Sequence, residues 1–207
     1  AGLDVASLTD HDHWGFFPLD ENPEIWELIK RKTSEYHQPG KFITFLGYEW
    51  TSWDYGHYHV LYPVEDGPLL SSLAKETSDP KGLWKTLKGI EVITIPHHPG
   101  GGPEPIDFNF YGGSDVEPLV EIVSVHGVSE VYGGPKAIYS AEKGHFVQDA
   151  LARGYRLGFT GSGDSHNGHP GIKDVSAITH GLVGIWAKSL TREGIWEALK
   201  ARPVSYT

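Results

Sequence analysis

The chain has 207 residues, 39% hydrophobic and 21% charged, which predicts one soluble globular domain with a sizeable core. A formal net charge of −10, from 17 basic and 27 acidic residues, with no Lys/Arg-rich stretch argues against a nucleic-acid surface. No apolar run is long enough to span a bilayer, and the absence of cysteine excludes disulfides and thiolate metal sites.

In chain order, Gly2 to Leu8 reads as a buried strand ending in Thr9-Asp10-His11-Asp12-His13. A helix is predicted from Pro23 to about His37. Its proline lies in the first turn, acids come early and bases late, and Ile25, Leu28 and Ile29 share one face. Lys41–Leu46 is the second strand, running into Gly47-Tyr48-Glu49, and Gly56–Tyr62 is the third, with His57 and His59 at its beginning. Residues 67–80 read as loop and Leu83–Leu87 as a short helix. Glu91–Ile95 is a strand delivering Pro96-His97-His98-Pro99. A long Gly/Pro loop covers 100–113 and suits the lining of a site.

Leu119–Val125 is a strand delivering His126, and residues 135–153 are expected to be helical, with Gly144 weakening the helix. Arg156–Thr160 is the strand before Gly161-Ser-Gly-Asp164-Ser-His166, which places a carboxylate and an imidazole two residues apart on a glycine-rich loop. Gly181–Ala187 is a last strand, and Thr191–Ala201 a closing helix with Thr191 as N-cap. Nearly continuous apolar strands spaced by helices or loops predict a parallel α/β sheet. Polar clusters at most strand ends favour a barrel, whose functional residues lie on the loops at one end.

The chain holds 12 histidines, and position decides which matter. Asp10 reads equally as a turn cap or a ligand. Glu49, after an apolar run, needs a metal or a basic partner if it is buried. His57 and His59 share a strand face, so both, or one with a supporting partner, suit one cation. Of the adjacent His97 and His98, the latter is the expected ligand, because Pro99 fixes the turn after it. Glu121 and His126 could orient a ligand imidazole. His37, His145 and His180 read as structural. Imidazole with carboxylate suits Zn, Mn or Fe(II) without discriminating among them. Several such groups at one barrel mouth would hold two or three metals.

The segment Leu3-Asp-Val-Ala-Ser-Leu-Thr9-Asp10-His11-Asp12 resembles the second metal motif of the polymerase-and-histidinol-phosphatase (PHP) superfamily. The order Gly47-Tyr48-Glu49-Trp50-Thr51, Gly56-His57, Pro96-His97-His98, Glu121 to Glu130, Gly163-Asp164-Ser-His166 and Pro170-Gly171 resembles a PHP-like family designated domain of unknown function 3604. The closing helix up to Arg202 fits as well. The resemblance spans almost the whole chain. It implies a distorted seven-stranded TIM-like (β/α) barrel with a two- or three-metal centre, hydrolysing phosphoesters by a hydroxide bridging the metals.

Carried over by position, the ligands implied are His11 with Asp10 beside it, Glu49, His57 or His59, His98, Asp164 and His166. His126 or His97 would assist the leaving group. The superfamily's first His-x-His strand has no counterpart here, so the resemblance implies a single domain shortened at its start, and at its end beyond Thr207. It also implies a small phosphorylated substrate and is compatible with export. Two alternatives stay open: hydrolysis of an amide or carboxylic ester at the same metals, and a non-catalytic carbohydrate-binding barrel walled by Trp14, Trp50 and Trp53.

Overall fold

The computed structural model describes residues 2–171, 179–202 and 204–206. Its first unit is β1 (Val5–Ser7), α1 (Pro23–Glu35) and β2 (Ile43–Ser52), with β1 and β2 parallel. Next come β3 (Gly56–Tyr62), a 3-10 turn at Lys75–Thr77, α2 (Pro80–Thr86) and β4 (Ile93–His97). These strands make one sheet in the order β1-β2-β3-β4. A second sheet holds β5 (Leu119–Ser124) between β6 (Gly127–Val128) and β7 (Gly158–Gly161), with α3 (Val147–Ala152) preceding β7. Finally β8 (Val183–Ile185) and β9 (Val204–Tyr206) pair around α4 (Arg192–Ala201).

The expected parallel barrel is therefore corrected in two respects. Among the described residues the strands form three separate sheets, not a closed barrel. β3 also runs antiparallel to both β2 and β4. The cause is local. Only Trp53–Tyr55 separate β2 from β3, and a parallel return needs a crossover of a dozen or more residues. The turn is held by Ser52 Oγ, which accepts the amides of Asp54 and Tyr55 at 3.3 and 3.2 Å. Gly56 leaves it at φ 81°, a region glycine enters without strain.

The reversal has a functional result. Because β3 starts where β2 and β4 end, its first residues lie beside their last ones. Thr51 pairs with His57 and Glu49 with His59, while His57 also pairs with His97.

Strand alternation then sorts the sheet into two faces. Leu46, Tyr48 and Trp50 of β2, with Tyr58, Val60 and Tyr62 of β3, pack in a cluster that includes Trp26 and Ile29 of α1 and Leu83 of α2. On the other face Ile43, Phe45, Leu61, Ile93 and Ile95 join Leu119 of β5 and Ile195, Trp196 and Leu199 of α4. Continuing along that second face, the apolar residues give way to Glu49, Thr51, His57, His59 and His97. One face is thus an apolar floor at one end and a donor cluster at the other. Each fully buried large side chain of the floor contributes about 1.5–3 kcal/mol, and this anchors the cluster.

The helix boundaries show which signals were strong. α1 starts at Pro23 as expected, but it buries Trp26, Ile29 and Thr33, with Leu28 exposed. Thr191 caps α4 by accepting the Gly194 amide at 3.1 Å. The expected helix over 135–153 shrinks to α3. Gly144 has φ 98°, outside helical space, and residues 135–144 wind irregularly so that the Tyr139 carbonyl accepts the Gly102 amide at 3.0 Å.

Candidate metal centre

His11 follows β1 and bridges to Glu49 in parallel fashion. Its Nδ1 lies 2.7 Å from Thr51 Oγ1 and 3.5 Å from Glu49 Oε1. Glu49 is buried in the middle of β2 rather than following the strand. Its Oε1 lies 2.7 Å from His57 Nδ1, and its Oε2 lies 3.9 Å from His97 Nε2. On the far side, Asp164 Oδ2 lies 3.4 Å from His97 Nε2 and 3.2 Å from His126 Nε2. Asp164 Oδ1 lies 3.9 Å from His166 Nε2. Loops after β1, β4, β5 and β7, together with β2 and β3 themselves, thus meet at one place.

Hydrogen-bond partners assign the imidazole protons. His98 Nδ1 lies 2.7 Å from the Gly101 carbonyl, which can only accept, so Nδ1 carries the proton and Nε2 the lone pair. That lone pair and Glu49 Oε1 both face His57 Nδ1, at 3.2 and 2.7 Å, so His57 Nδ1 is also protonated. His57 Nε2 is left with its lone pair, buried and without a hydrogen-bond partner. His97 Nδ1 lies 2.8 Å from Glu121 Oε1, which leaves its Nε2 turned between Glu49 and Asp164. Asp164 Oδ2 is likewise buried, facing the His97 and His126 Nε2 atoms without a hydrogen bond of good geometry.

Such orphaned donors fit a metal. A cation about 2.0–2.1 Å from its ligands holds neighbouring ligand atoms about 3.0–3.4 Å apart, and the 3.2–3.9 Å separations here are close to that. Among the described residues three groups each bring donor atoms within 4.8 Å of one another: His11, Glu49 and His57; Glu49, His59 and His97; His126, Asp164 and His166. Glu49 belongs to two of them.

Electrostatics agree with the geometry. Burial opposes ionisation of Glu49, but His97, His57 and His11 outweigh it and hold its carboxyl well below the usual range. Burial likewise opposes ionisation of Asp164, and His97 reverses the balance. His98 and His11 are pushed below the ordinary histidine value, by burial first and then mainly by the neighbouring imidazoles, His97 and His57 among them. His59 is pushed down to about 4, by burial and then His97. His97 goes the other way: burial is outweighed by Glu121, Glu49 and Asp164. The centre therefore presents ionised carboxylates and several neutral imidazoles, as a divalent metal requires, while His97 would release its extra proton on binding one. Backbone strain is concentrated here too. His98 and Asp164 have φ of 37° and 42°, conformations that cost non-glycine residues about 1–3 kcal/mol each and persist where surrounding contacts impose them.

Of the residues picked out in the sequence, His11, Glu49, His57, His59, His97, His98, His126, Asp164 and His166 are brought together. Asp10 is not: its side chain is exposed, and only its backbone carbonyl engages the region, accepting the Glu49 amide at 2.9 Å. Trp50 also departs from expectation, being buried on the opposite face with its Nε1 donating to the Thr77 carbonyl at 3.0 Å.

Sequence reasoning passed over Asp12, which is fully buried. Its Oδ1 accepts the Thr51 amide at 2.9 Å and its Oδ2 the Ser72 amide at 2.5 Å, fixing the segment that carries His11 against β2. The signal was its place in the Asp-His-Asp-His run, where alternation turns His11 and Asp12 in opposite directions. His13 goes with Asp12, 3.2 Å away, and outside the cluster.

Residues 10–102 match the family described as "Protein of unknown function (DUF3604)". That segment contains His11, Glu49, His57, His59, His97 and His98 but not His126, Asp164 or His166. An uncharacterised protein of Chlamydia pneumoniae is 28% identical over 200 residues, covering 90% of this chain, and the chain spans only 32% of that protein's length. Two solved structures align over the whole chain. One is a two-domain protein from Bacteroides vulgatus described as containing a predicted PHP-like metal-dependent phosphoesterase, at 17% identity and TM-score 0.58 over 56% of its length. The other is PsfC from Pseudomonas syringae, at 14% identity and TM-score 0.55 over 77% of its length. At these identities the likeness is one of fold. The chain has a mixed α/β fold similar to that of a protein containing a PHP-like domain, and its donor cluster lies largely within the segment similar to the DUF3604 family.

Proposed function

We propose that this chain is a metal-dependent hydrolase of phosphoesters, of the PHP type, holding two or three divalent transition metals. The observation that carries the reading is the buried His97 Nε2, which lies between two carboxylates, 3.9 Å from Glu49 Oε2 and 3.4 Å from Asp164 Oδ2. The fold likeness to a two-domain protein containing a predicted PHP-like phosphoesterase supports it.

Glu49 would be shared between neighbouring metals, with His11 and His57 on one side and His59 and His97 on the other. Asp164, His126 and His166 would hold the third position. Divalent metals in such a site supply the positive charge that lets water attack a phosphoryl centre. The remaining work falls to the chain. Glu121 and the Gly101 carbonyl fix the rings of His97 and His98, and Thr51 fixes His11. His97, with its side chain 1% exposed, acts as a ligand in this reading rather than as a proton donor. His126, 20% exposed at the mouth, would act as a ligand beside Asp164, with burial favouring its neutral form. A small phosphorylated molecule fits the cavity of about 270 Å³ above the donors.

The test is metal analysis of the purified protein followed by a substrate panel. At least one transition metal per chain, and hydrolysis of phosphomonoesters or phosphodiesters that is lost in Asp164→Asn, is the expected result. Bound metal with turnover of amides or lactones instead would move the assignment to another hydrolase class, and absence of metal at saturation would end it.

A further inference from the structure

Above the donor cluster stands a wall that metal binding does not require. Trp14 and Trp53 are 52% and 41% exposed. Their rings lie 4.9 Å apart at 76°, and Trp53 also meets His57 edge-on at 5.8 Å. The two indoles form an open corner over the cavity, continued by Pro103 and Tyr139. Indoles carry large apolar surfaces whose exposure in pairs is costly unless something covers them. Neither of these joins the two cores of the protein, although other tryptophans of the chain, Trp26, Trp50 and Trp196, are buried.

The cavity is lined by polar groups as well. Tyr139 packs its ring 5.5 Å from His126, and Asp164 adds to burial in raising its phenol pKa. His166 is largely exposed beside it. Among the described residues lining the cavity there is no Lys or Arg, so no side-chain cation is placed to grip a second anionic group on a ligand.

We propose that the corner of Trp14 and Trp53 binds an uncharged sugar ring, making the substrate a phosphate ester of a neutral sugar. This rests on the phosphoesterase reading and narrows it. A pyranose has a C–H face that lies against an indole and a hydroxyl edge that reaches the phenol of Tyr139 and the imidazole of His166. A single phosphoryl group then meets the metal end of the cavity. A volume of about 270 Å³, at the small end of ligand pockets, suits one ring rather than a chain.

The experiment compares kcat/KM of the metal-loaded protein for glucose 1-phosphate, methyl phosphate, phenyl phosphate and fructose 1,6-bisphosphate. Glucose 1-phosphate should exceed methyl phosphate at least tenfold, and that ratio should fall about tenfold in Trp53→Ala and recover in Trp53→Tyr. An unchanged ratio in a folded Trp53→Ala protein overturns the proposal. So does a fall in phenyl phosphate turnover in Trp53→Ala as large as that for glucose 1-phosphate, which would mark an aromatic-group site, or a preference for the bisphosphate. If no phosphate ester turns over, the phosphoesterase reading fails by itself. The ring site is then judged by indole fluorescence titrated with methyl α-glucopyranoside. Saturable quenching in the parent protein that is lost in Trp53→Ala supports the sugar site, and no saturable quenching overturns it.

Discussion

His97 and Glu121 are joined inside the protein, with His97 Nδ1 2.8 Å from Glu121 Oε1 and both side chains 1% exposed. The same oxygen accepts the His98 amide at 3.2 Å. One carboxylate on β5 thereby sets the ring of His97 and the strained backbone of His98, joining two sheets that share no strand pairing.

Glu121→Gln tests that link. Partners that orient metal-bound imidazoles typically account for about 10–100-fold in metal affinity. Competition titration against a chelating dye should show a loss of that size, with a circular-dichroism spectrum unchanged. An unaltered affinity would mean that His97 is not a ligand.

Gly47 tests the packing beneath the site. It lies on the ligand-bearing face of β2 between Phe45 and Glu49. A Cβ there would come within 2.6 Å of Leu61 Cδ2, 2.7 Å of Ser7 Oγ and 3.2 Å of the Val60 carbonyl. Two of those three contacts are side chains that can shift, but the carbonyl cannot easily. Gly47→Ala should therefore cost about 1–3 kcal/mol, seen as a lower urea midpoint. It should also weaken metal binding, because β1 carries the Ser7 contact and leads to His11. A neutral effect on both would show that the strands tolerate a wider spacing.

Most strands were legible because burial on both faces leaves continuous apolar runs. β3 begins and ends where the sequence placed it, and β5 differs by one residue. What the runs could not show was direction. The three residues between Ser52 and Gly56 were the available sign that β3 turns back, and the reversal explains why its histidines come first. Glu49 was legible as an unusual acid after an apolar run, yet the strand continues through it to Ser52, since a charged residue facing a polar cluster need not end a strand. Asp10 and Trp50 misled for the same reason: spacing along the chain gave proximity to ligands but not the side on which each residue emerges. The short β6 and β9 and the irregular 135–146 depend on contacts distant in sequence, such as the Val128 amide donating to the Lys136 carbonyl at 3.0 Å, and no local pattern announces them.

His59 carries a pH signature in the metal-free protein. Burial first, then His97, brings its pKa from 6.5 to about 4, with Glu121, Glu49 and Asp164 opposing. Its ring packs 4.1 Å from that of His97. The unfolded chain accepts the proton first, so between pH 6.5 and about 4 the unfolded state binds more protons and stability falls as pH falls. His59→Asn should flatten this acid limb, measured as urea midpoints at pH 7, 6 and 5. Parallel curves for the two proteins would show that His59 titrates normally.

Glu117 predicts the opposite slope. It is fully buried at the end leading into β5, and neither carboxylate oxygen has a hydrogen bond of good geometry. The phenol of Tyr58, which Glu117 helps to push up in pKa after burial, is unpartnered as well. Burial raises the Glu117 pKa well above the ordinary 4.5, with the Gly112 amide a smaller opposing influence. Above pH 4.5 the unfolded chain has lost this proton while the folded chain keeps it, so folding takes up a proton and stability declines as pH rises. The limiting slope is about 1.4 kcal/mol per pH unit, lasting until the folded carboxyl itself ionises. Glu117→Gln keeps the shape and removes the proton uptake. Its stability relative to the parent should therefore improve from pH 5 to pH 8, and a difference that is the same at both pH values would place an unrecognised partner beside the carboxylate.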